Sequence, residues 1–104
     1  MCRRHHGAAF STFARVGLRR LHVTDDGGRL TRYASSAQVT RSFCARCGSS
    51  LFWSSSERPR RIWIAAGTLD GDPDVRPEAH IFVSSHAPWY EITDHLTQHD
   101  EAEP

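Results

Sequence analysis

A chain of 104 residues has room for one hydrophobic core, and a hydrophobic fraction of 38% keeps that core small. Its formal charge of +1 gives no net field that would draw it to nucleic acid or to a membrane surface. The basic opening, Met1-Cys2-Arg3-Arg4-His5-His6-Gly7, is followed by no apolar run, and no segment is long enough to span a bilayer, so a cytoplasmic protein is expected.

Cys2 to His6 is the only stretch that reads as a helix, one or two turns ended by Gly7. From Ala9 to Val16 the pattern alternates, with Phe10, Thr12, Ala14 and Val16 on one side, which predicts a strand. Leu21–Thr24 is a second, shorter strand, stopped by the turn signal Asp25-Asp26-Gly27-Gly28. Leu30–Tyr33 is expected to fold back on it as a hairpin. Val39–Phe43 leads into a pair of cysteines and Ser50–Trp53 leads away, followed by a loop over Ser54–Arg60. Ile62–Ala66, β-branched and aromatic, is the strongest strand and ends at Gly67. After a turn at Asp70–Pro73 comes a strand at His80–Val83, and the acidic stretch 98–104 reads as a disordered tail. The sum is a mainly β fold of short antiparallel strands, with minimal helix near the N-terminus, in one domain spanning 1–104. Trp53, Trp63 and Trp89 are expected in its core.

Phe43-Cys44-Ala45-Arg46-Cys47-Gly48-Ser49-Ser50 carries the most chemistry. Two cysteines separated by two residues can grip one ion from a tight turn. A glycine after the second gives the positive φ that turns backbone N–H groups toward the sulfurs and favours thiolates. This is half of a tetrahedral zinc site. A redox pair of the thioredoxin type also has this spacing, but it needs a helix starting at the first cysteine, and strand-like Leu51-Phe52-Trp53 follows too closely. Two inert buried cysteines are the third reading. Cys2 is a candidate third ligand, while the seven histidines show no zinc-finger spacing relative to the pair. His5 and His6 point about 100° apart on a helix, so at most one of them could join Cys2 at a metal. Asp70 reads as the cap of a turn, and Arg58-Pro59-Arg60-Arg61 as a solvated loop.

The order of motifs resembles the glutathione-dependent formaldehyde-activating (GFA) family, which includes the centromere protein V-like proteins. Cys2-Arg3-Arg4-His5-His6-Gly7-Ala8-Ala9-Phe10 is similar to the segment after the last cysteine of that family's Cys-x-Cys-x-x-Cys motif. Leu30-Thr31-Arg32-Tyr33, Arg41–Ser49, Ala66–Asp70, Pro77–Val83 and Ala87–Ile92 follow in the family's order. The resemblance implies a β-tent fold with zinc as cofactor at two sites. Cys44 and Cys47 match half of a structural four-cysteine site, and Cys2 matches the third ligand of a catalytic three-cysteine site with an open position. The implied activity is carbon–sulfur lyase chemistry joining formaldehyde and glutathione as S-hydroxymethylglutathione, with a glutathione-like thiol as partner. Arg3, Arg4 or Arg46 near the metal could take the carboxylates of glutathione.

The chain departs from the family at its start. The family's other two catalytic cysteines would precede Cys2 by three and five residues, and its early Cys-x-Cys strand would lie further upstream. The expectation is an N-terminally truncated reading frame in which catalysis is impaired. The alternative is a non-catalytic, zinc-stabilised module that binds protein or nucleic acid.

Overall fold

The computed structural model describes residues 2–104, and the side chain of Cys2 lies outside the description. The chain divides into two compact units, one of Thr12–Gly71 and one of residues 1–11 with Asp72–Pro104.

The larger unit is a five-stranded antiparallel sheet. Its strands are β1 (Phe13–Gly17), β2 (Leu30–Ala34), β3 (Val39–Cys44), β4 (Ser50–Ser55) and β5 (Arg61–Ala65), in the spatial order β1-β5-β4-β3-β2. Strands β2 to β5 form a meander, and β1 closes the far edge by pairing with β5 from Phe13 opposite Ala65 to Gly17 opposite Arg61. One row of facing residues runs across the whole sheet: Arg15, Trp63, Trp53, Arg41 and Tyr33. At its centre the indoles of Trp53 and Trp63 meet edge to face, 5.0 Å apart at 90°. Ile62 and Trp63 are the buried apolar residues of this unit. Arg41, buried with them, donates from Nε to the Ser35 hydroxyl at 3.3 Å.

Several expected boundaries move, each because of what the backbone bonds to. Leu21–Thr24 forms no strand, and the hairpin across Asp25–Gly28 is replaced by β2 pairing with β3, Leu30 opposite Cys44. Asp25 explains the change. Its carboxylate accepts the Arg29 and Leu30 amides at 2.9 and 3.0 Å, which takes the donors where a ladder back to Leu21–Thr24 would begin. Leu21 and Val23 instead line a concavity of about 440 Å³ over Leu30, Ser42, Phe52 and Ile62 on the sheet face opposite the tryptophans. Strand β4 extends through Ser55, into the expected loop, because Thr40 and Val39 offer ladder partners to Ser54 and Ser55. The strand expected over Ala9–Val16 is realised at Phe13–Gly17, where β5 provides a partner.

In the smaller unit, α1 (Cys2–His6) ends as expected at Gly7, whose φ of 74° and amide bond to the Arg3 carbonyl close the last turn. The other elements are a two-residue parallel pair, β6 (Ala79–His80) and β7 (Thr97–Gln98), and a 3₁₀ turn at Val83–Ser85. The strand expected over His80–Val83 therefore stops at His80. Phe82 takes a left-handed conformation, φ 54°, which no ladder accommodates. Backbone amides of Phe82, Val83 and Ser84 bond the carbonyls of Glu101, His99 and Asp100. Ala87 is buried here, whereas Trp89, expected in the core, is 68% exposed.

Candidate functional site

The thiol pair sits on the turn between β3 and β4. Cys44 ends β3, and its amide donates to the Ser49 carbonyl at 2.9 Å while its carbonyl accepts the Gly48 amide at 2.7 Å. The Ala45 amide donates to the Arg29 carbonyl at 2.8 Å, which ties the turn to the start of β2. Gly48 has a φ of 80°, and the space around its α-carbon is open, so glycine is required by the backbone angle and not by crowding. These bonds wrap the six residues Cys44–Ser49 into a knuckle with both thiols on it.

The Cys44 side chain is a neighbour of the Cys47 thiol. Cys47 Sγ lies 3.1 Å from the Ser49 hydroxyl. That hydroxyl, the Ser49 amide and the Cys44 thiol, in that order, hold the Cys47 thiol below its ordinary pKa. The Gly48 amide is spent on the Cys44 carbonyl, and it is Ser49, carried round by the turn, that reaches the sulfur. Ser49 stood in the sequence pattern as a plain polar residue. Cys44 is half-buried and Cys47 exposed, so the pair is open to an incoming ion.

The donor set tests the match to zinc. Two neighbouring thiols suit a soft, tetrahedral ion with Zn–S bonds near ~2.3 Å. Among the described residues, however, no group of three or more His, Cys, Asp or Glu side chains could hold a metal. Such an ion takes four ligands; the knuckle offers two thiols, and the described residues offer no group that would complete the set. Cys2, the remaining sequence candidate, has its side chain outside the described residues, and its helix belongs to the smaller unit while Cys44 and Cys47 belong to the larger. His6 Nδ1 accepts the Ala8 amide at 3.0 Å, a backbone role at the helix end.

Other candidates resolve simply. Arg3, Arg4 and Arg46 are exposed. The turn after β5 is closed by the Thr68 hydroxyl, which donates to the Ala65 carbonyl at 2.7 Å, and not by Asp70. One pair had no sequence signal at all: His80 and Asp94, fourteen residues apart, meet through His80 Nε2 and the Asp94 carboxylate. Only folding brings them together. No helix among the described residues is long and apolar enough to cross a membrane.

Comparison with known proteins bears on what this site belongs to. The family model for glutathione-dependent formaldehyde-activating enzyme matches residues 1–85. That span holds Cys2, the knuckle and the blocks through Val83, and stops short of Ala87–Ile92. A comparison with curated proteins finds no match. With most of its length inside the family model, and a mainly β fold to go with it, the chain belongs to the glutathione-dependent formaldehyde-activating enzyme family.

Proposed function

We propose that this chain is a zinc-dependent carbon–sulfur lyase domain acting on adducts of formaldehyde with glutathione or a similar thiol. The observation that carries this reading is the family match over residues 1–85, which includes all three cysteines. In this reading Cys44 and Cys47 hold one ion as a pair of thiolates, favoured by the Ser49 contacts on the second sulfur. Zinc, when bound, supplies fixed positive charge and keeps a coordinating thiol deprotonated. The exposed guanidinium groups of Arg3, Arg4 and Arg46 are available to the two carboxylates of glutathione.

Two measurements test the proposal. Elemental analysis is expected to find zinc that survives exchange into metal-free buffer and is lost in Cys44→Ser and Cys47→Ser. Formation of S-hydroxymethylglutathione from formaldehyde and glutathione is expected to exceed the spontaneous rate. Zinc-loaded protein that leaves that rate unchanged removes the enzymatic reading.

A second reading, a non-catalytic zinc-stabilised module, is favoured by one observation. The unit of Thr12–Gly71 holds ten arginines against four carboxylates, while the rest of the chain holds three against eight. A sheet so charged suits an acidic partner, either a protein or a nucleic acid. Binding to a short DNA duplex that weakens steeply with added salt supports this reading, and no binding at low salt removes its nucleic-acid form.

A further inference from the structure

Outside the knuckle, the smaller unit contains a second group of chemically capable side chains. His80 ends β6, and its Nε2 lies 3.0 and 2.9 Å from the two oxygens of Asp94. Hydrogen bonds from His80 and from the Leu96 amide hold the Asp94 carboxyl below its ordinary value, so at neutral pH it is a carboxylate and accepts only. Nε2 must then be the protonated nitrogen. The lone pair of the neutral ring is left on Nδ1, to which no described residue is bonded. The edge of the ring is set by Phe10, 6.3 Å away at 88°, and Phe10 in turn packs on Tyr90 at 5.3 Å. The His80 side chain is 19% exposed, so the ring is held on several sides and yet open to a small molecule. A carboxylate fixing the tautomer, a ring held by aromatic packing and a free basic nitrogen make an oriented proton acceptor.

We propose that His80 is a catalytic residue of this chain, moving the proton between thiol and oxygen when a thiol adds to an aldehyde, with Asp94 as its positioning residue. The step rests on the reaction class proposed above, and it balances within the two reactants. Nδ1 takes the thiol proton. The sulfur electron pair forms the S–C bond while the carbonyl π pair moves onto oxygen, and the new alkoxide takes the proton back from Nδ1–H. Nothing is oxidised or reduced, and the ring ends as it began. The reverse sequence cleaves the adduct. The titratable groups facing the dyad are Asp94 itself, His95 beside it and His99, whose amide bonds the His80 carbonyl at 2.8 Å; Tyr90 stands behind Phe10.

The test uses the full chain, zinc-loaded, with two variants and two readouts. The first readout is the rate of S-hydroxymethylglutathione formation across pH. His80→Gln is expected to lower the accelerated rate by about 10²-fold or more. Asp94→Asn is expected to lower the maximal accelerated rate at every pH while leaving the glutathione KM in place, because the ring loses the acceptor that keeps its proton on Nε2. A pair that is merely structural would lower the melting temperature and leave the rate per folded molecule in place. If wild type accelerates the reaction and His80→Gln accelerates it equally, the proposal is overturned while the enzymatic reading stands. The second readout is the NMR signals of the His80 ring during titration with glutathione alone, which requires no turnover. If wild type gives no acceleration, the enzymatic reading falls and this titration decides the site. A displaced Nδ1 signal sustains a thiol-binding His80, and an unmoved one overturns it. Should His80→Gln fail to fold, the Asp94→Asn rate and the ring titration decide in the same way.

Discussion

Two single residues hold the local geometry on which the site depends. Gly48 sits at φ 80°, where a side chain costs about 1–2 kcal/mol even with open space around it. Gly48→Ala is therefore expected to lose about that much stability in urea denaturation, and to weaken zinc retention with it, because the turn that carries Ser49 to Cys47 is what bends. Asp25 acts at the start of β2. The Leu30 amide, then the Arg29 amide, hold its carboxyl below the ordinary 3.8. A depressed folded pKa means the stabilisation is present above 3.8 and is lost as the pH falls through the lower folded value. Urea midpoints measured from neutral pH down into that range are expected to fall for the wild type. The fall should be shallower for Asp25→Asn, which keeps an acceptor oxygen but does not titrate there.

At the scale of elements, the sheet depends on few packed side chains. Trp63 on β5 is 8% exposed, and its indole abuts Trp53 of β4 directly across the ladder. Replacing a buried tryptophan with alanine costs about 3–5 kcal/mol, a large share of the 5–15 kcal/mol that holds a typical domain. Trp63→Ala is expected to lose most of its cooperative unfolding transition by circular dichroism. A change at Trp89, 68% exposed, is expected to shift the midpoint little. The elements also show why some boundaries were legible and others not. Helix α1 and strand β5 carry their own signals, a terminal glycine in one and consecutive β-branched and aromatic residues in the other. Leu21–Thr24 looks as strand-like as Leu30–Tyr33 in isolation. What separates them is the Asp25 carboxylate, which takes the amides of residues 29 and 30, and the presence of β3 as an alternative partner. Alternation reports a preference for extended backbone, and pairing depends on what the fold places alongside.

Across the whole molecule, charge is arranged in a way the net value of +1 conceals. The arginines look scattered along the chain, yet they gather on the sheet unit, while the carboxylates gather in the unit that holds both termini. Weak cation-exchange retention of the intact chain at neutral pH, despite its near-zero net charge, is the expected result, with elution at rising salt. Retention no stronger than that of an evenly charged protein of the same net value would contradict this separation.

From residue order alone, the mainly β class, the N-terminal helix, the knuckle at Cys44 and Cys47 and the resemblance to the family could all be read, because each is written in neighbours a few positions apart. The exposed position of Trp89, the replacement of the expected hairpin by β2 on β3, and the pairing of His80 with Asp94 were decided by tertiary structure. The Ser49 contact that favours a thiolate is local, two residues from Cys47, but depends on the exact course of the turn, which residue types alone do not fix. For the others, which donor meets which acceptor and which ring is covered depends on segments distant in sequence, as with His80 and Asp94, fourteen residues apart and 2.9 Å from one another.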